Sequence, residues 1–263
     1  MKGTATFPHP VETHQGLSLH GVSKSFGPKR VLDACDLQVN KGETLVIIGR
    51  SGEGKSVLLK LMVRLLDPDA GEIWIEGQEI TALSQRKLMQ LRRKFGFLFQ
   101  GAALFDSMTI CKNVGLMLEE HSGWEKDRIR ARACECLDLV GLDNIEDRLP
   151  SELSGGMKKR AGLARAIVME PEYILYDEPT TGLDPITGDA INDLIIMLQK
   201  QLGVTSIVVT HDMPSAFKIA DRIAMLHKGK IVYTGTVEEV RTTDNAMVRQ
   251  FIEGSSQGPL EIF

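Results

Sequence analysis

TLVIIGRSGEGKSVLLKLMVRLL, residues 44–66, decides how the chain folds. An apolar run of strand length, TLVIIG, feeds a glycine-rich loop, GRSGEGKS, and then an apolar helix, SVLLKLMVRLL. That order of strand, loop and helix is the setting a phosphate-binding loop requires. Gly49, Gly52 and Gly54 let the backbone curl so that successive N–H groups face one point, and the helix behind adds its positive end. Lys55 is placed to reach the β- and γ-phosphates of a nucleotide, and the Ser56 hydroxyl to ligate Mg²⁺. Arg50, Ser51, Glu53 and Val57 complete the predicted binding loop. A glycine-rich turn ending in Lys-Ser also arises by chance, but seldom between a strand and a helix.

A second segment supplies the other half of a site. In EYILYDE, Tyr173 to Tyr176 form a buried parallel strand that ends in Asp177 and Glu178. Carboxylates at the C-terminal end of such a strand lie where α/β sheets place ligands. Asp177 suits Mg²⁺, directly or through water, and Glu178 suits a base that polarises a water aimed at the γ-phosphate. Alone, the pair would fit a capped strand end equally well; beside the upstream loop it reads as chemistry. A guanine reader of the form Asn-Lys-x-Asp is missing, since the nearest string, NIED at 144–147, lacks the lysine. ATP is therefore the expected nucleotide.

Working outward, LSLHGV, DLQV and EIWIEG read as strands around the loop, and FGFLF (95–99) as another. Residues 101–152 turn helical in TICKNVGLMLEEH and RIRARACECLDLVGL, an insertion in an α/β core. The helix PITGDAINDLIIMLQKQL, strand TSIVVT, helix MPSAFKIA and a strand pair astride Lys228-Gly229 follow, and EEVRTTDNAMVRQFIEG (238–254) reads as helical. This divides the chain into a flexible leader (1–16), a core (17–100 and 153–243), the helical insertion (101–152) and a C-terminal helix and tail (244–263). The tail, SSQGPLEIF, carries Leu260, Ile262 and Phe263 without local neighbours, and is expected to dock on a partner copy or to fray.

The chain has 263 residues, 43% hydrophobic and 25% charged, enough for one large α/β domain. Its net charge of −4 gives no basic excess of the kind that nucleic-acid binding needs, so no nucleic-acid partner is expected. The four cysteines lack Cys-x-x-Cys spacing and read as free thiols in a reducing compartment. The opening residues have no apolar signal-peptide core, and no run approaches the roughly 18 residues of a membrane span. A cytoplasmic protein is expected, with any membrane role exercised through a partner.

One helix start is anomalous. In LSGGMKKRAGLARAI (153–167), Ser154 is a good N-cap, but Gly155 and Gly156 weaken the first turn. Lys158, Lys159 and Arg160 then put cations where the macrodipole prefers anions. Such a terminus suits a polyanion; the bland alternative for the cations is a solvated helix face. LSGGM resembles the signature motif of ABC-type ATPases, in which the fifth residue is usually Gln rather than Met157. The other motifs of that family fall in order: Gln100 matches the Q-loop glutamine, Asp184 in TTGLDP the D-loop, His211 in VVTHD the switch histidine, and Phe26 the aromatic that stacks on adenine. The resemblance spans about residues 17–240. It implies a P-loop, RecA-like α/β core with an antiparallel β subdomain and an inserted helical subdomain. It also implies ATP and Mg²⁺ as cofactors, with Gln100 beside Ser56 and Asp177 at the metal, and Glu178, His211 and Gln100 as catalytic residues. In that family two copies pack head to tail, so Ser154, Gly155 and Gly156 would hold the ATP carried by the other copy of a homodimer.

GRSGEGKSVLLK, LFQGAALFDSMTICKNVGLMLEEH, GLDPIT and VRQFIEGSSQGP further resemble the ATPase of MCE/Mla-type lipid transporters. That branch implies phospholipid transport between bacterial membranes, with an integral permease dimer and an MCE-domain lipid-binding protein as partners. It would place the chain on the cytoplasmic face of the inner membrane. The helical insertion would touch the permease, and Leu104, Phe105 and Met108, expected to be exposed close together, read either as its contact or as packing of the insertion. An ABC transporter ATPase for a different substrate is one other reading; a soluble ABC ATPase acting on nucleic acid or ribosomes is another, and it predicts a coiled-coil insertion, a fused second module or a basic face. A nucleotide-regulated module without turnover would have no need of Glu178.

Overall fold

The computed structural model describes residues 16–260. The leader lies outside the described residues except for Gly16, which already opens the first strand. Two sheets form. In the first, β1 (Gly16–Phe26), β2 (Lys29–Asn40), β4 (Ala70–Ile75) and β5 (Gln78–Glu79) are antiparallel in the order β2-β1-β4-β5. In the second, β3 (Thr44–Ile48), β6 (Phe95–Leu98), β7 (Tyr173–Asp177), β8 (Thr205–Thr210), β9 (Arg222–His227) and β10 (Lys230–Thr236) run in the order β10-β9-β3-β8-β7-β6. All are parallel except β10, which returns antiparallel along β9.

The central strands explain the arrangement. Every residue of β3, β7 and β8 is buried, and each is close to a continuous apolar run. A strand covered on both faces cannot alternate polar with apolar residues, which is the pattern of parallel sheets. The register levels their C-terminal ends: Ile48 lies opposite Thr210, Val209 opposite Asp177, and Tyr176 opposite Leu98. The loops after β3, β6, β7 and β8 therefore open on one edge of the sheet, where the crevice of an α/β fold binds ligands.

Helices pack around this frame. They are α1 (Lys55–Met62), α2 (Gln85–Arg92), α3 (Ile110–His121), α4 (Lys126–Leu139), α5 (Gly155–Ile167), α6 (Pro185–Leu202), α7 (Met213–Ile219), α8 (Val237–Thr242) and α9 (Ala246–Glu253). Helices α3 and α4 form the insertion, and their apolar faces join one core with α5 through Ile110, Val114, Leu118, Ala133 and Leu137. Helix α6 has its start and stop in its sequence: Asp184 accepts from the N–H groups of Ile186 and Thr187, Pro185 occupies the first turn, and Gly203 ends it.

Three expectations are corrected. The stretch 238–254 is not one helix but two, α8 and α9, because Asn245 caps a new start by accepting from Met247 and Val248 N–H. Leu260 is buried on its own chain: its N–H donates to Gln250 Oε1 (2.7 Å), and Gln250 Nε2 donates back to its carbonyl (3.2 Å). The tail thus finds its core on α9 up to that residue; Ile262 and Phe263 lie outside the described residues. Third, Leu104 and Met108 are half-buried, with Leu104 packed against the core, and only Phe105 of that trio is exposed.

Candidate active site

The loop between β3 and α1 fits its surroundings too closely for side chains at two positions. A Cβ on Gly49 would lie 2.5 Å from the Leu226 carbonyl oxygen, and one on Gly54 would lie 2.6 Å from Val31 Cγ1. Gly54 also takes φ +102° as the N-cap of α1, which carries no acidic residue in its first turn and no side-chain cap. The positive end of α1 is left to whatever the loop encloses. Glu53 is held from outside: its Oε1 lies 2.9 Å from Nδ1 of His227 at the end of β9.

A cleft of about 440 Å³ opens above this loop. Phe26, Ser51, Gly52, Gly54, Lys55, Ser56, Val57, Gln100, Glu178 and His211 line it, so the structure gathers ten sequence-predicted residues from five segments. Phe26 stands at the rim, about half exposed, with Lys24 Nζ 5.7 Å from its ring centre. Lys29 and Val31 of β2 line the cleft too. No sequence signal marked them, since they reach the site only through the antiparallel sheet.

The floor of the cleft is a charge network. Lys55 Nζ donates to the carbonyls of Gly49 (2.8 Å) and Arg50 (3.2 Å) and lies 3.4 Å from Glu178 Oε1. Glu178 Oε2 accepts from the hydroxyls of Thr181 (3.1 Å) and Thr210 (3.3 Å) and lies 2.9 Å from His211 Nδ1. Ser56 Oγ donates to Asp177 Oδ1 at 2.7 Å. The adjacent carboxylates are pushed apart. Burial raises the Asp177 carboxyl above its ordinary range, against the Ser56 hydrogen bond and with help from the charge of Glu178. Burial opposes ionisation of Glu178 as well, but the bond to His211 and the charge of Lys55 outweigh it and leave that carboxyl below its ordinary range. Glu178 also sits at φ +48°, a left-handed backbone costing about 1–3 kcal/mol for a residue with a Cβ.

Other predicted residues lie elsewhere. Ser154, Gly155, Gly156 and Asp184 do not line the cleft. Ser154 caps its own helix by accepting from Met157 N–H (3.3 Å), and Gly155 and Gly156 pack beside Leu183 and Thr187. Both oxygens of Asp184 are occupied at the start of α6, Oδ2 by the Thr187 hydroxyl. The three cations after the signature do not crowd one surface. Arg160 donates to the Gly141 carbonyl (2.6 Å), Lys158 is half-buried, and Lys159 is turned into the protein. The solvated-face alternative is therefore wrong for Lys159, because helical rotation carries position 159 to the core side of α5.

A second, apolar groove of about 460 Å³ runs between β6 and the insertion. Phe97, Phe99, Phe105, Leu65 and Met117 line it, with Arg92, Arg93 and Arg165 among the other lining residues. Among the described residues, no helix is long and apolar enough to cross a membrane.

The chain has many relatives. The family model described as ABC transporter matches residues 32–181. The chain is 42% identical to the "Intermembrane phospholipid transport system ATP-binding protein MlaF" of Haemophilus influenzae, covering 89% of each. It is 41% identical to the "Probable ribonucleotide transport ATP-binding protein mkl" of Mycobacterium leprae, over 93% of this chain and 70% of that one. Among solved structures, the dimeric post-hydrolysis state of the ATP-binding cassette MJ0796 bound to ADP and Pi matches with a TM-score of 0.77 at 33% identity, covering 84% of this chain and 98% of that one. The ordered strand ends, the loop between β3 and α1 and these matches lead to one conclusion: the chain belongs to the ABC transporter family, and it is an ATP-binding subunit that hydrolyses ATP.

Proposed function

We propose that this ATPase powers phospholipid transport between bacterial membranes as part of an MCE/Mla-type complex. The observation that carries the reading is the match to MlaF over 89% of both chains, where mkl is matched over 70% of its length. Purifying the tagged chain from membranes tests it. A permease, an MCE-domain protein and bound phospholipid are expected to come with it; a complex that carries ribonucleotide and no lipid would overturn the lipid assignment.

Within the site, Phe26 stacks on adenine, and Gly49 to Val57 cradle the phosphates with Lys55 at the β- and γ-positions. Mg²⁺ suits the donors present: a hydroxyl and a carboxylate meet at 2.7 Å in Ser56 and Asp177, with the Gln100 side chain on the same cleft. Among the described residues no cluster of three His, Cys, Asp or Glu could hold a metal, which fits an ion that takes one or two protein oxygens plus phosphates. The ion would neutralise charge on the transferred phosphoryl group. Glu178 acts as the base, and His211, 2.9 Å from it, links that base to the γ-phosphate.

The complete site needs a second copy. Ser154 and Gly155 are exposed at the N-terminus of α5, away from their own cleft. A head-to-tail homodimer brings that terminus, with Asp184 nearby, onto the partner's ATP. A helix terminus contributes about 0.3–1 kcal/mol, up to about 2 when partly buried, so the closed dimer draws also on Lys55 and buried surface. Ser154→Arg in one subunit of a mixed dimer is expected to impair hydrolysis at the cleft carrying the other subunit's Lys55. Damage confined to the mutant's own Lys55 cleft would refute the trans arrangement. The apolar groove around Phe105 is the proposed permease contact of the helical subdomain, which holds the chain at the cytoplasmic face of the membrane.

A further inference from the structure

Lys159 lies five residues beyond the signature serine, yet it is only 5% exposed. Its Nζ donates to two main-chain oxygens, the Glu178 carbonyl at 3.0 Å and the Gln100 carbonyl. Farther along the same helix, Arg165 donates to the carbonyls of Ala102 (2.6 Å) and Ala103 (2.7 Å). Ala102, Ala103 and Glu178 all have left-handed backbone, at φ +60°, +48° and +48°. Residues with a Cβ hold such conformations only where their surroundings over-determine them. Two cations on α5 therefore grip the two backbone turns that flank the reaction cleft, one after β6 and one after β7.

A buried ammonium is costly, and an apolar side chain would fill the space without that cost. Burial indeed pushes the Lys159 ammonium below the usual lysine range, against the opposing pull of Asp177 and Glu178. What the ammonium provides that a methionine would not is directed donors. The Glu178 carbonyl otherwise accepts from Thr181 N–H at 3.3 Å, and Glu178 N–H donates to Val209 at 3.0 Å. Lys159 is thus the clamp on this turn that comes from the helix bearing the signature motif.

We propose that Lys159 is a positioning residue for ATP hydrolysis: by holding the Glu178 carbonyl it fixes the turn that aims the carboxylate, and by holding the Gln100 carbonyl it makes that turn move with the Q-loop. The proposal rests on Glu178 being the base. It gives α5 two tasks, since its N-terminus serves the partner's nucleotide while its buried side sets the geometry of its own chain's base.

The test compares Lys159→Met, Lys159→Arg and Glu178→Gln in the purified full-length protein, reading kcat, KM for ATP, ADP affinity and melting temperature. A misplacement of the base by about 1 Å costs up to about 100-fold in rate, so Lys159→Met is expected to lower kcat about 10- to 100-fold with KM and ADP affinity within about twofold of wild type. Lys159→Arg, which keeps the donors, recovers most of the lost rate. Should the methionine variant not fold, Lys159→Leu, which equally lacks a donor, replaces it, with the same split expected. Wild-type kcat in the folded variant overturns the proposal, and so does a joint fall of kcat, ADP affinity and melting temperature, which would mark a structural support. The Glu178→Gln arm separates the two readings. Wild-type turnover there removes the base on which the proposal stands, while loss there with wild-type turnover in Lys159→Met removes Lys159 alone.

Discussion

Glu178→Gln is expected to stop ATP turnover while leaving ATP binding intact, so that a closed, ATP-bound dimer accumulates. The carboxylate is buried and held by Lys55, His211, Thr181 and Thr210, and its backbone is clamped in the left-handed region. Glutamine keeps the shape but has no basic oxygen, and general-base catalysis contributes about 10²–10⁴-fold. A fall of that size in kcat, with unchanged nucleotide affinity and a dimer visible by size-exclusion chromatography, is the expected record. Hydrolysis at the wild-type rate would remove Glu178 as the base. The depressed carboxyl also fixes a sign with pH. Ionised Glu178 contributes stability above the ordinary glutamate range, and that contribution is lost as pH falls through its lower folded value. The raised Asp177 works in the opposite direction, so chemical denaturation of Asp177→Asn should show a steeper loss of stability on acidification than wild type.

Lys55→Ala is expected to lose tight ATP binding altogether. Its ammonium is buried, donates to the Gly49 and Arg50 carbonyls, and lies 3.4 Å from Glu178 Oε1. Hydrogen bonds to charged groups are worth about 1.5–3 kcal/mol each, so losing contacts to two phosphates weakens ATP by about two orders of magnitude or more. The substitution also strips Glu178 of its nearest lysine, which moves that carboxyl back up toward its ordinary range. Isothermal titration with a non-hydrolysable ATP analogue measures the first effect. Wild-type affinity would contradict the assignment of the phosphate loop.

The fold class and the two halves of the cleft were legible because each is encoded over a few consecutive residues. An apolar run followed by glycines and Lys-Ser, or a run ending in two carboxylates, specifies a strand end and its chemistry locally. The cap at Ser154 was legible for the same reason, as its partner lies three residues on; the cap at Asp184 is as local, but that residue was read only as part of the D-loop. The break between α8 and α9 could have been found from Asn245, whose cap is equally local, but the amphipathic run on either side of it hid the signal.

What the tertiary structure alone decided spans long stretches of chain. Glu53 meets His227 across 174 residues, and Lys159 meets the Gln100 carbonyl across 59. A lysine beside two other cations reads as a solvated face until the packing of α5 against β6 sets which side of the helix is buried. Periodicity gives a helix its faces, whereas the docking of elements decides which side chain of a face is enclosed and which backbone oxygens it meets there. Strand, loop, helix and the segments that line the cleft were thus determined by sequence alone; the contacts of Lys159 with the turn after β7 were set by how α5 lies on the sheet, because hydrogen bonds between distant segments exist only after those segments pack.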